Sequence, residues 1–440
     1  MAVRYFLLLL PFLAISKLNA QIQSGPMLGF VDMMEANIWL QSAMPADVKI
    51  VYWKADEPGV VYGTPTITTV AGNALTAQFK IGPIEPGTNY GYEVWANETK
   101  VSFPYPLTFK TQEIWKWRGD APNFSFAFGS CFYVNEPAYD RPGKPYGQNF
   151  GILEQIKKQN PDFMIWGGDN VYYREVDYNS TSGMNHRYTH TRSLPALQPL
   201  LAAMPHYAIW DDHDYGPNDS DRSYPLKREA LEIFKNFWIN PNYVFENQGV
   251  TGSFTYADCQ FFLLDDRWWR SPNERKKTGD RVYFGEDQLT WLIDALSYSE
   301  ATFKFIVSGG QILNPVPVVE NYSNFPEERA RLLDLIEKED IKGVIFLTGD
   351  RHHSSLTKID RPDTYPLYDL TISPLSAGAG AQKPVEKWAP FVEGTSVERT
   401  QNFSTLSISG TNGNRILKIK VFDYTGKQLW EREIKEGELR

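Results

Sequence analysis

The order of strand-like and helix-like runs predicts a layered α/β protein preceded by a small β-sandwich. Three observations carry that expectation. Residues 21 to about 118 hold short strand-like runs separated by Pro/Gly turns, with no helical period between them. From about residue 119 apolar runs alternate with amphipathic ones. Five of the apolar runs stop at clusters of metal-seeking or acid/base side chains, and in layered α/β proteins ligands gather at the carboxyl ends of strands.

In chain order, residues 1–20 read as an export signal: Arg4 gives a positive start, Tyr5–Ile15 an apolar stretch, and Leu18-Asn19-Ala20 a small-residue exit before Gln21. The stretch is too short for a membrane span and no later one is longer, so the reading is cleavage near Ala20 and a periplasmic or secreted product. Strands are expected at Ala36–Leu40, Lys49–Trp53, Ala77–Ile81 and Tyr90–Trp95. The segment Ile84–Tyr92 has the form of a fibronectin-like corner, in which a Tyr hydroxyl bonds back to nearby backbone. Helices are expected at Gly151–Asn160, Leu226–Ile239, Glu286–Ser299 and Pro326–Lys338, the last entered through Pro and two glutamates. Strands Ser404–Ile408, Ile416–Val421 and Gln428–Ile434 should complete a sheet of the catalytic layer. The expected division is signal 1–20, β-sandwich 21–118 and catalytic domain 119–440.

At 440 residues and 42% hydrophobic content the chain can bury large cores, and its net charge of −9 gives no basic footprint for stable nucleic-acid binding. Only two cysteines occur. Cys259, inside an apolar run, reads as a core filler, and Cys131, beside glycine at a strand end, as a functional thiolate.

The five endings are Gly129-Ser130-Cys131, Gly168-Asp169-Asn170-Val171-Tyr172, Asp211-Asp212-His213-Asp214, Asp265-Asp266-Arg267 and Thr348-Gly349-Asp350-Arg351-His352-His353. Asp169 can bridge two cations while Tyr172, three residues on, reaches one of them as a phenolate. Unperturbed tyrosine ionises only near pH ~10, so this needs a strongly Lewis-acidic metal, and ferric iron fits best. Cys131 and His352 complete a mixed S/O/N set. Asp169, Asp212 and Asp350, with the amide of Gln311 or Asn170, offer hard oxygens suited to calcium or another hard divalent ion. Two such cations could hold a phosphate ester and generate hydroxide near neutral pH. His213 is then the candidate general acid or an orienting residue.

Taken together these motifs, with Arg270, Gly285, Gln288 and Trp291-Leu292, resemble the PhoD-like alkaline phosphatases of the calcineurin-like metallophosphoesterase superfamily. The resemblance implies a four-layer αββα sandwich behind the N-terminal β-sandwich, and phosphomonoesterase and phosphodiesterase activity. It further implies iron on Cys131, Asp169, Tyr172 and His352, and calcium on Asp169, Asp212 and Asp350 with Gln311. Arg267 and Arg174 would contact phosphate, with surface or interlayer ion pairing as the other reading of both. Asp214 and the sequel Tyr215–Asp219 depart from the family pattern, as does a signal without a twin-arginine pair.

Two other readings stay open. One is a phosphodiesterase with bulky leaving groups, for which Trp166, Tyr173, Trp268 and Trp269 offer an aromatic wall or simply core packing. The other is a non-catalytic surface protein that binds a partner through its β-sandwich.

Overall fold

The computed structural model describes residues 22–275 and 281–440; the export-signal reading of residues 1–20 lies outside them. Between residues 22 and 110 the chain folds into two antiparallel sheets. One pairs Ile22–Val31, Ala36–Ser42 and Thr76–Ile81, and the other is built on Asp47–Lys54 and Asn89–Ala96. Alternate residues of these strands (Ile38 and Leu40, Val48 and Ile50, Phe79 and Ile81, Tyr92 and Val94) face inward and form a core of their own. The expected corner is present: the Tyr90 hydroxyl accepts a hydrogen bond from the Glu85 N–H at 2.9 Å.

The rest is an αββα sandwich. Its first sheet has parallel strands Phe124–Gly129, Phe163–Gly167 and His206–Ile209, extended by antiparallel Asn402–Ser409, Ile416–Asp423 and Gln428–Lys435. The carboxy-terminal strands therefore complete the sheet as expected. The second sheet runs Gly252–Tyr256, Cys259–Leu263, Phe303–Ser308, Val344–Thr348, Leu367–Thr371 and Ser355–Ile359, with a parallel centre and antiparallel edges. Phenylalanines lock the sheets face to face: Phe126 meets Phe261 and Phe305 edge-on at 5.2 and 5.3 Å, and Phe163 meets Phe261 at 5.4 Å. Cys259 is buried among them as a free thiol.

Helices Ile152–Lys158, Lys227–Phe237, Glu286–Tyr298 and Pro326–Lys338 fall where apolar spacing predicts them. Thr181–Arg192 is a further helix, whose buried face carries Arg187 and Arg192 beside Met184 and Tyr188. Because the central strands of both sheets are parallel and packed together, their carboxyl ends open on the same edge of the sandwich.

Candidate metal centre

Three of the strands, Phe124–Gly129, Phe163–Gly167 and Val344–Thr348, are followed by residues in the left-handed region. Cys131, Asp169, Asp350 and His352 all have left-handed backbones, with φ of 59°, 54°, 64° and 55°. Non-glycine residues rarely hold that conformation, and its concentration here is the strain expected of a functional site. Glycines permit the close approach. Gly168 has φ 94°, and a Cβ on it would lie 2.8 Å from the Cβ of Asp211; one on Gly349 would lie 2.5 Å from the Ser130 hydroxyl.

Four donors of different chemistry converge. Cys131 Sγ lies 3.6 Å from Asp169 Oδ2, and Tyr172 Oη 3.2 Å from His352 Nε2. One ligand atom each from Cys131, Asp169 and His352 falls within 4.8 Å of the others. His352 Nδ1 lies 2.6 Å from the carbonyl of Gly378; that contact makes Nδ1 the protonated nitrogen and leaves Nε2 as a lone pair facing the cluster. Ser373 Oγ donates to Cys131 Sγ at 3.2 Å.

Asp169 belongs to a second group with Asp212 and His213, and Asp212 to a third with Asp219 and Glu320, each within the same 4.8 Å. His213 N–H donates to Asp169 Oδ1 at 3.2 Å, and its ring lies 4.3 Å from that of Tyr172. Asp211 and Asp214 close a reciprocal cap on the short helix Asp212–Tyr215, which fixes Asp212 and His213.

Burial and mutual repulsion dominate the electrostatics. Asp169 is pushed well above the usual carboxylate range by burial, then by Asp212 and Cys131. Burial raises Cys131 to about 11 and also raises Tyr172, while it lowers His213 to about 4. Asp350 rises to about 7, through burial and then the Glu320 charge. Asp350 Oδ2, Asn170 Oδ1 and His213 Nδ1 are buried with no hydrogen-bond partner. A cluster of thiol, phenol, carboxylates and imidazoles that repel one another when charged, and keep free lone pairs, fits a group of bound cations.

The structure does not bring every expected residue into this cluster. Gln311 is a correction: its amide oxygen, the atom a cation would need, already accepts from Arg351 at 2.7 Å and Asn314 at 2.9 Å. Asn170, the alternative amide, keeps its oxygen free. Arg267 follows its ion-pairing reading. Its guanidinium is fully buried and held by Asp211 and Glu320, so it faces carboxylates rather than an open crevice. The four aromatic residues divide, two of them following the core-packing reading. Trp166 packs on Phe132 and Trp238, and Tyr173 on Tyr188, inside the core; Trp268 and Trp269 line a separate surface hollow.

Arg174, in contrast, does reach the site. It lies 5.0 Å over the Tyr133 ring and 5.5 Å over that of Tyr172, with no side-chain hydrogen bond or ion pair among the described residues. A pocket of 620 Å³ opens beside it, lined also by Tyr133, Tyr146, Tyr172 and His213. Sequence patterns did not single out Tyr133, Tyr146, Asp219 or Glu320; all four come from loops without periodicity, and only their tertiary neighbours reveal them.

Comparison with known proteins follows the same lines. The family model of PhoD-like phosphatases matches residues 126–412, and that of a domain of unknown function (DUF7800) matches residues 19–114. Alkaline phosphatase D of Bacillus subtilis (strain 168) is 23% identical over 285 residues, covering 53% of this chain and 47% of the relative, so the match spans under half of that protein. The solved structure of PhoD aligns over 96% of this chain and 93% of that one, with a TM-score of 0.75 at 19% identity, a likeness of fold.

Proposed function

This chain belongs to the PhoD-like phosphatase family, and from that premise we propose that it is an exported hydrolase of phosphate esters, mono- or diester. One observation carries the reading: a thiol, a shared carboxylate, a phenol and an imidazole converge beside an unpaired arginine at the mouth of a pocket. No helix among the described residues is long and apolar enough to cross a membrane. Export rests on the sequence of residues 1–20.

Cys131, Asp169, Tyr172 and His352 would hold ferric iron, and Asp169, Asp212 and Asp350, with Asn170, calcium or another hard divalent cation. Such cations supply Lewis acidity toward a phosphoryl oxygen and lower the pKa of a water. The chain's own residues do the rest. Arg174 offers guanidinium N–H groups to the non-bridging phosphate oxygens. The polar turn Asp211–Asp214 fixes His213 against the ring of Tyr172, where it can serve the leaving oxygen. In hydrolysis a water oxygen bonds to phosphorus, the bond to the leaving oxygen breaks, and that oxygen takes a proton; the His213 ring would assist it, donating a hydrogen bond as a neutral imidazole or the proton itself when protonated.

The test is elemental analysis of the purified protein alongside hydrolysis of nitrophenyl phosphate and bis-nitrophenyl phosphate. Iron with a second divalent metal, turnover of at least one ester, and a visible absorption band lost in Tyr172→Phe are expected. Turnover of neither ester by metal-loaded protein refutes the reading.

A further inference from the structure

The outer wall of the pocket is a loop, residues 136–146, built to hold one shape. Asn135 and Gly147 clasp its base reciprocally: Asn135 Nδ2 donates to the Gly147 carbonyl at 2.6 Å and Gly147 N–H to Asn135 Oδ1 at 2.9 Å. A Cβ on Gly147 would meet the Tyr133 carbonyl oxygen at 2.4 Å, so only glycine allows the clasp. Glu136 is tied to Arg187 at 3.2 Å and to His186 at 2.8 Å on the neighbouring helix. Pro137, Pro142 and Pro145 restrict the excursion further.

What this wall presents is charge. Arg141 and Lys144 line the pocket from the loop, and Arg174 lines it as well. Asp140 is the acid among the lining residues, and its oxygens already accept from the Tyr133 hydroxyl at 2.6 Å and the Glu136 N–H at 2.8 Å. Lys144 forms no ion pair among the described residues, and the Arg141–Glu175 pair, at 3.2 Å, is exposed on both sides and so weakly held. The aromatic faces, in contrast, are largely used up. Tyr133 packs against Tyr146 at 5.0 Å and Tyr172 at 5.1 Å, and Arg174 covers the faces of Tyr133 and Tyr172. A volume of 620 Å³ lies in the range of about 300–1,000 Å³ that encloses a substantial ligand, well beyond a lone phosphate.

We propose that this pocket receives the leaving group, and that it selects phosphate esters whose leaving group carries a second anion, a phosphate or a carboxylate, held by Lys144 and Arg141. The inference rests on the phosphoester reading of the same site. Arg174, stacked over the candidate ligand Tyr172, would face the scissile phosphate, which leaves the loop cations Arg141 and Lys144, lining the same pocket, to meet the tail. Both loop residues are exposed, so changing them leaves the core untouched.

The test compares kcat/KM for propyl phosphate, 3-hydroxypropyl phosphate, 3-carboxypropyl phosphate and propane-1,3-diyl bisphosphate, the last halved for its equivalent esters. Anionic tails should be preferred by about tenfold over the neutral ones, the worth of a charged hydrogen bond. The preference should shrink as salt rises. In Lys144→Glu the charged-to-neutral ratio should fall to one or below, and Lys144→Met should lie between. Preference for the bisphosphate alone names phosphate as the tail, and preference for both names any anion. Equal rates across the series, or a ratio unmoved by Lys144→Glu, overturns the proposal while leaving the phosphoesterase reading intact. Absence of turnover of any ester, nitrophenyl phosphate included, overturns both.

Discussion

Two clusters of buried ionisable side chains stand at the same edge of the sandwich, and they balance their charges in opposite ways. Around Arg267 the chain pairs buried acids with its own arginines. The guanidinium donates to Asp211 at 2.7 Å and to Glu320 at 3.0 and 3.2 Å, and Arg270 adds a contact to Glu320 at 3.1 Å. Burial alone would push Glu320 up, yet the two arginines hold it down to about 2. Around Asp169 the chain supplies acids and lone pairs but no cation: among the described residues no lysine or arginine pairs with Asp169, Asp212 or Asp350. The first cluster offsets its buried acids with arginines of the same chain, and the second leaves its acids without such a counter-charge.

The largest expected effect tests the second half of that comparison. Of the three candidate groups, Asp169 belongs to the first two, so it is the carboxylate common to both proposed cations. Asp169→Asn should therefore lose metal from both and lower turnover by at least about 10³-fold, since metals supply several kcal/mol of transition-state stabilisation. Removing a mutually repelling carboxylate should at the same time leave the metal-free fold as stable or more so. Elemental analysis, kinetics and thermal melts of apo-protein read all three. Full metal retention, or a strongly destabilised apo-fold, would break the comparison.

The first half predicts the reverse. Arg267→Ala leaves Asp211 and Glu320 buried without their cation, which should cost about 3–5 kcal/mol of stability. Metal content in protein that remains folded should change little. Denaturant unfolding checks the loss. A variant of unchanged stability with a raised KM for phosphate esters would return Arg267 to phosphate binding.

That arginine also marks how far the sequence could be read. Apolar runs ending in Cys131, Asp169, Asp212 and His352 announced strands and metal chemistry, because strand period and donor type are both local. Arg267 sits at the same kind of strand end, and its neighbours Asp265 and Asp266 say nothing of Glu320, fifty-three residues later in a segment without strand or helix pattern. Gln311 went astray for the same reason, its oxygen being claimed by Arg351 forty positions away. The helix Thr181–Arg192 escaped notice because its buried face includes two arginines and a threonine, which leave almost no apolar period to detect. Loop 136–146 announces only a turn-rich stretch; that Arg141 and Lys144 line one pocket with Arg174 is a tertiary fact.

The smallest expected effect concerns His213, which lies on the boundary between the two arrangements. It groups with Asp169 and Asp212 as a ligand would, and its Nδ1 is buried with no partner, yet it also lines the pocket where a leaving oxygen would sit. Burial holds the ring in its neutral form, so it offers a single N–H rather than a full imidazolium, and its help to a leaving oxygen should sit at the low end of general-acid effects, about 10²-fold. His213→Ala should therefore slow alkyl phosphates by about that factor and nitrophenyl phosphate much less, because nitrophenolate departs with little need of a proton. Metal content should hold, since Cys131, Asp169, Tyr172 and His352 are untouched. If the loss is uniform across leaving groups and one equivalent of divalent metal goes with it, His213 is a ligand of the second cation. The counter-charge of that cation then reaches further toward the pocket than the Asp169 cluster alone requires.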